Sequence, residues 1–292
     1  MNDATEGLIE RVAQTPTQHG TIGKLLLEAG KITPEDAEKI IRFQQKNNLR
    51  FGEAALELGL VKHEDIQYAL AQQFDYPYLL PGQGNFSPDL VAAYYPYSEE
   101  VETFRILRTH LLLRWFQTGH KALCMCGAEG GEGVSYQVAN LAVVCSQLGE
   151  KTLIIDANLR KPRQHVIFNL GNNRPGLSDM LAGRATNAIY KVPSLVDLSV
   201  IPAGTTPPNP AELLSRSNFG LLLRELSDIY DIIIVDAPAA NVYADTQNIA
   251  AITGGALLVS RLNISKISQI EKAKQLLLTT RAEIVGAVLN RF

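Results

Sequence analysis

Cysteine is scarce, with only Cys124, Cys126 and Cys145 in 292 residues. Three thiols cannot build a disulfide framework, and their odd number argues against obligate pairing. Cys124 and Cys126 alternate within an apolar stretch that reads as a strand, so both project to one face and are expected as buried, reduced thiols. Histidine is also sparse, and the five residues show no H-x-x-x-H or similar spacing, which leaves histidine-based metal catalysis without support. No apolar run approaches the roughly 18–20 residues that span a bilayer. The opening stretch, MNDATEGLIERV, is acidic and lacks the apolar core of a signal peptide, so the expected location is cytoplasmic. An excess of basic charge is missing too: the net charge is −3, which argues against a general nucleic-acid binder, because neutralising phosphates requires a clustered basic surface. What is present is ordinary for a soluble chain with a real core, 46% hydrophobic and 20% charged, long enough for one medium and one small domain.

The first pattern that stands out is an internal repeat. Residues 21–44 and 50–73 align without gaps at a shift of 29. Gly23 matches Gly52, Leu27 matches Leu56, Gly30 matches Gly59, and Ile41 matches Leu70. Each copy reads as a short helix closed by a glycine, a turn, and a second helix. Gly30 and Gly59 suit a position just past a helix end that needs positive φ. Thr33, Pro34 and Asp36 form an N-cap, a first-turn proline and a third-position acid. A bundle of four short helices explains the apolar positions. Residues 74–100 then carry Pro, Gly and Asn between periodic segments, which places the domain boundary there; Tyr94, Tyr95 and Tyr97 cluster in it and read as a docking strip. Glu100–Phe116 reads as a helix with Phe104, Leu107, Leu111 and Trp115 on one side. Glu102, Arg105 and Arg108 follow along a neighbouring stripe.

From Lys121 the chain alternates strand, loop, helix, strand. Ala122–Cys126 is an apolar strand, Gly127–Gly133 a glycine-rich loop, and Ser135–Gln147 a helix with Val138, Leu141, Ala142 and Cys145 on its apolar face. Lys151–Asp156 and Asp231–Asp236 are apolar strands ending in Asp, where carboxylates sit at the C-terminal edge of a parallel sheet. Gly255–Ser260 and Ile284–Leu289 are expected as two further buried strands. A strand–glycine loop–helix unit cradles phosphate because backbone N–H groups and the helix N-terminus face the anion. A working version also needs a Lys on the terminal phosphates and a Ser or Thr on magnesium. Here the loop reads AEGGEGVSY: Val134 stands where Lys belongs, Ser135 is kept, and Tyr136 replaces a small residue.

The loop, with LIIDANLRKPRQH, IPAGTTPPNPAELL and YDIIIVDAPAA, resembles the bacterial tyrosine autokinases of exopolysaccharide and capsule synthesis, and covers Glu100 to Phe292. The helical front end resembles the N-terminal domain of type II secretion and type IV pilus ATPases. Together they look closest to the EpsG-type members. The implied fold is α/β: a doubly wound, mostly parallel P-loop NTPase sheet of the deviant Walker, partition-ATPase-like kind, preceded by a small all-α domain. The implied organisation is a tail (1–20), a helical tandem-repeat domain (21–80), a linker (81–99) and the kinase-like domain (100–292). By position, the resemblance implies Asp156 and Asp236 as catalytic acids and Ser135 with Asp236 on magnesium. It further implies Gly130, Gly131, Glu132, Gly133, Val134, Ser135, Tyr136 and Arg160 around ATP. Glu102, Arg105 and Arg108 match its ExxRxxR ring-forming element. Asn158 replaces its second acid, and its tail of clustered tyrosines is absent, no tyrosine following Tyr243. In some secretion ATPases the tandem motif binds cyclic di-GMP, which here implicates Arg50, Gly52, Gly23, Gly30 and Gly59; Thr21 stands where the first copy would carry its arginine, and Lys31 and Ala37 also depart from the pattern.

Three readings follow. One is a regulator with impaired catalysis that docks on a membrane-embedded polysaccharide chain-length or polymerase protein as a homo-oligomer at the inner face of the membrane. Another is an active ATP-dependent kinase or ATPase in which a second lysine, such as Lys161, reaches the phosphates. A third, compatible with either, is a cyclic di-GMP receptor. Loss of a lysine contact where negative charge accumulates commonly costs about 10²–10³ in rate, and this favours the regulator. Asp245 lies at a family position but reads equally well as a helix N-cap.

Overall fold

The computed structural model describes residues 21–73, 79 and 83–291; the expected tail at 1–20 lies outside them. The chain divides into two compact units, Met1–Leu80 and Pro81–Phe292.

In the first unit the repeat becomes α1 (Ile22–Glu28), α2 (Pro34–Asn47), α3 (Phe51–Glu57) and α4 (His63–Gln73). Gly30 and Gly59 both adopt φ +65°, the left-handed conformation that lets each short helix stop and turn. Thr33 and Asp36 form the expected capping box, Thr33 Oγ1 accepting from the Asp36 N–H and the Asp36 carboxylate from the Thr33 N–H, each at 3.2 Å. The core takes Leu26, Ile32, Ala37 and Ile40 from one copy and Ala54, Ala55, Val61 and Ala69 from the other. An ion pair between Lys31 and Asp65 at 2.8 Å joins the copies.

The second unit is a seven-stranded sheet in the order β3-β4-β2-β5-β1-β6-β7. Its strands are β1 (Ala122–Gly127), β2 (Thr152–Asp156), β3 (Tyr190–Lys191), β4 (Leu198–Ile201), β5 (Ile232–Asp236), β6 (Gly255–Arg261) and β7 (Glu283–Asn290). All ladders are parallel except that of β3 with β4. Every residue of β1, β2 and β5 is buried, which is why these strands read as unbroken apolar runs. Cys124 and Cys126 point into one core face, and all three cysteines are free and buried. The expectation of two further buried strands holds for β6 and fails for β7, which is the sheet edge and half exposed, with Leu289 55% accessible. An apolar run of that length is compatible with a central or an edge strand, and pairing on one side only decides the outcome. The short strands β3 and β4 were not anticipated.

Residues 83–98, placed in the linker by composition, pack within the second unit. The helix α5 (Val91–Tyr94) lies against α7 (Val134–Ser146), the helix that follows the glycine loop. Asn140 on α7 accepts from the Ala92 N–H at 2.8 Å and donates to the Asp89 carbonyl at 2.9 Å. Of the tyrosine strip, Tyr94 is buried and donates to the Gln83 carbonyl, whereas Tyr95 and Tyr97 are exposed. The next helix, α6 (Glu99–Arg114), stops short of the expected Phe116 because Trp115 leaves helical geometry. Its indole donates to the Ala122 carbonyl at 2.9 Å, stacks on His120, and fills the space over Gly255, where a Cβ would collide with the ring.

Candidate nucleotide site

At the C-terminal edge of the sheet, the loop after β1, the turn after β2 and the loop after β5 enclose a cavity of about 800 Å³. On one side lie Glu129 to Tyr136; on the other are Asn158, Arg160, Lys161 and Arg163; Asp236 to Ala239, Val242 and Tyr243 line it between them, and Asp89, Glu100 and Ile167 complete the lining. Gly131 and Gly133 take φ +84° and +87°, which folds the backbone back on itself and starts α7 at Val134. A Cβ at Gly130 or Gly131 would meet open space, so their outer face is free to receive a group from the cavity.

The loop holds its shape through its own carboxylates. Glu132 is 2% exposed. One of its oxygens accepts from the Glu129 N–H at 2.9 Å, and the other accepts from the Ser265 hydroxyl. Ser265 in turn accepts from the Arg261 N–H at 2.8 Å, and the Asn290 amide donates to the Glu132 carbonyl at 3.3 Å. Gly127 is glycine for this reason, since a Cβ there would run into the Glu132 carboxylate. Glu132, expected around ATP, is thus engaged in loop geometry. Val134, at the position where a lysine was expected, lines the cavity.

Asp156 and Asp236 end neighbouring strands and are paired directly in register. Both are fully buried. Asp156 accepts from the N–H groups of Asn158, Arg163 and Gln164 at 3.2, 3.0 and 3.0 Å, an arrangement that wraps the 156–164 turn around one carboxylate. Burial raises its pKa well above the usual carboxylate range, with Asp236 adding repulsion against the backbone donors. Burial likewise pushes Asp236 up to about 6, while Gln164 and the Ser135 hydroxyl pull it down. Two carboxylates side by side in a dry site do not both ionise readily.

Gln164 had not been singled out in sequence, although it lies in the LRKPRQH stretch. Its amide donates to Asp236 Oδ2 at 2.7 Å and to the Ser135 carbonyl at 3.1 Å. Two acceptors on one nitrogen fix its orientation and leave Gln164 Oε1 and Asp236 Oδ1 buried with no hydrogen-bond partner. Buried oxygens of this kind are normally satisfied, and with the Ser135 hydroxyl they suit a hydrated divalent cation. Ser135 and Asp236, the expected magnesium pair, are therefore brought together.

Arg160 lines the cavity with two of its guanidinium nitrogens already engaged. It makes a bidentate pair with buried Asp245, at 2.8 and 3.1 Å, and stacks 4.2 Å from the Tyr243 ring centre. Asp245 is the first residue of α8 (Asp245–Thr253), whose N-cap is Ala244, so it does not take the expected N-cap position, and its carboxylate is held by Arg160. Tyr136 packs against Phe104 and donates to Glu100 of α6, tying the start of α7 to the helix that carries Glu102, Arg105 and Arg108. In that helix Arg105 pairs with Glu102 at 2.9 Å and Arg108 donates to the Val144 carbonyl at 2.6 Å. The cyclic di-GMP set lies in the first unit. Arg50 is exposed, Gly23 and Gly52 are buried helix-packing positions, and Gly30 and Gly59 close helices.

No family model matches the chain. CapB of Staphylococcus aureus, described as a tyrosine-protein kinase, is 38% identical over 197 residues, spanning 67% of this chain and 86% of CapB. The chain belongs to the bacterial tyrosine-kinase family. The solved kinase domain of the Escherichia coli tyrosine kinase ETK superposes on this member with a TM-score of 0.66 at 33% identity, covering 69% of this chain and 79% of that one. The septum site-determining protein MinD of Pyrococcus horikoshii, solved with Mg-ADP, shares the fold at a TM-score of 0.52 and 24% identity over 59% of this chain and 71% of its own. The doubly wound P-loop sheet of this family member is thus the expected one, with the glycine loop, Asp156 and Asp236 at one edge.

Proposed function

We propose that this chain is a regulatory member of the tyrosine-kinase family of capsule and exopolysaccharide biosynthesis, whose cavity admits magnesium-bound ATP but transfers phosphate poorly. The observation that carries it is Val134. The first residue of α7 lines the cavity with a neutral aliphatic group, at the place where a lysine would offset charge developing on the terminal phosphates. The magnesium side fits better. Ser135 and Asp236 would hold the cation, which supplies charge neutralisation to the phosphates when bound. Retention of a cation site beside a loop without a lysine supports binding over turnover.

A regulator acts through partners, and α6 offers a surface for them. Ile106 and Leu113 are 53% and 62% exposed on the helix that carries Glu102, Arg105 and Arg108. We place self-association there, and docking to a membrane-embedded chain-length or polymerase protein at the cytoplasmic side; among the described residues no helix is long and apolar enough to cross a membrane.

The test is turnover of [γ-³²P]ATP by the full chain against Ser135→Ala, together with binding of a fluorescent ATP analogue with and without magnesium. Magnesium-dependent binding with turnover no greater than that of the Ser135→Ala protein is expected. Brisk hydrolysis abolished by Ser135→Ala, or self-labelling on tyrosine, would overturn the proposal.

A further inference from the structure

Three cationic side chains line the cavity, Arg160, Lys161 and Arg163, and they differ in how far their charge is already answered. Arg160 is neutralised by buried Asp245 and stacked on Tyr243. Arg163 reaches to 4.0 Å from Asp89. Lys161 is exposed and has no carboxylate within ion-pair distance among the described residues. It is therefore the lining cation with no carboxylate partner of its own, Arg163 keeping only a long, solvent-exposed contact.

Its backbone is nevertheless well held. Asp156 gathers the N–H groups of Asn158, Arg163 and Gln164, and the Asn158 side-chain carbonyl accepts from the Lys161 N–H at 3.1 Å. The turn presents Lys161 from a fixed base with an exposed side chain. The two departures from the family pattern become complementary here. At position 134 a lysine is replaced by Val, removing a cation from the loop. At position 158 an acid is replaced by Asn, which keeps the turn's hydrogen bond without placing a negative charge beside Lys161. An aspartate there would do to Lys161 what Asp245 does to Arg160.

We propose that Lys161 supplies the positive charge that meets the polyphosphate chain of a magnesium-bound nucleotide, from the wall opposite the loop that has Val134. The proposal rests on the reading of this cavity as a nucleotide site, but not on whether turnover is slow. A lysine, as a compact point charge on a long flexible stem, can serve phosphate from either wall.

Titration calorimetry on the full chain with Mg-ATP and with magnesium tripolyphosphate tests it, using wild type, Lys161→Ala, Lys161→Arg, Asn158→Asp and the double variant Val134→Lys/Lys161→Ala. Losing one charge-assisted contact is worth roughly tenfold to a hundredfold in affinity. The expected result is that Lys161→Ala weakens both probes by at least about tenfold with an unchanged melting temperature, as suits an exposed side chain. Lys161→Arg should keep most of the affinity, Asn158→Asp should lower it, and the double variant should regain what Lys161→Ala lost. Wild type that binds neither probe would overturn the proposal, as would Lys161→Ala within about twofold of wild type. A loss confined to Mg-ATP, with tripolyphosphate unaffected, would move Lys161 to the base or sugar and overturn it equally. Brisk ATP turnover by wild type would instead sink the regulatory reading and leave the Lys161 result to stand or fall alone.

Discussion

The two walls of the cavity are built on opposite terms. The glycine-loop residues that line the cavity, Glu129 to Tyr136, include no cation, and the loop's buried carboxylate, Glu132, is held by Glu129 N–H and Ser265. The facing wall, the turn at 156–164, is wound around another buried carboxylate and presents Arg160, Lys161 and Arg163. Loop shape and loop charge are thus separable. Within the loop an internal acid, Glu132, already satisfies the Glu129 N–H.

The largest effect should come from returning the charge to the first wall. Val134→Lys places an ammonium at the start of α7, in a cavity roomy enough to take it. We expect Mg-ATP to bind roughly tenfold more tightly and turnover to rise on the order of 10²-fold, the scale of a single contact to developing charge. Steady-state hydrolysis and calorimetry measure both. If neither moves, the contrast between the walls is wrong as a statement about chemistry, and some other feature, Asn158 included, limits the site.

A smaller effect tests the acids that sit between the walls. The folded pKa of Asp236 is raised to about 6, chiefly by burial, above its unfolded value. The native state therefore holds a proton that the unfolded chain has lost, and Asp236 favours folding most at low pH. That contribution declines as pH rises from the ordinary carboxylate range to about 6. Asp236→Asn should reduce this decline, leaving the part that buried Asp156 contributes, and stabilise the metal-free protein at pH 7.5, while abolishing magnesium binding. Urea unfolding of both proteins from pH 5 to pH 8 decides it. An Asn variant less stable at pH 7.5 than wild type would mean that the buried carboxylate contributes more by its bond to Gln164 than it costs by its charge.

Much of this could be read from the chain itself, wherever the signal was contiguous. The glycine run between an apolar strand and a helix, the strands ending in Asp156 and Asp236, and the Thr33–Asp36 cap are each local patterns that fix backbone conformation or strand polarity. The partners were not legible. Arg160 finds Asp245 across 85 residues and Glu132 finds Ser265 across 133, choices made by sheet order and invisible to local spacing. Gln164 was hidden for a related reason, since a polar residue in a basic stretch reads as surface until a turn folds it between two carboxylates. The edge position of β7 was missed because an apolar hexamer, Ile284–Leu289, does not reveal how many neighbours it will have.

The smallest expected effect concerns how the cation-poor wall is anchored to its surroundings. Tyr136 begins the second half of the first turn of α7 and donates to Glu100 of α6. Burial and the Glu100 carboxylate both raise the phenol's pKa above the usual tyrosine range, so the hydroxyl remains a donor throughout the neutral range. Tyr136→Phe keeps the packing against Phe104 and deletes one partly exposed hydrogen bond, for which about 1 kcal/mol is the ordinary scale. Stability should fall by that amount, equally at pH 6 and pH 8, and Mg-ATP affinity should stay within about threefold. A cycle with Glu100→Gln should show the two changes to be non-additive. If Tyr136→Phe instead weakens nucleotide much more than it weakens folding, then Tyr136 touches the bound phosphates, and the first wall contributes a polar contact of its own.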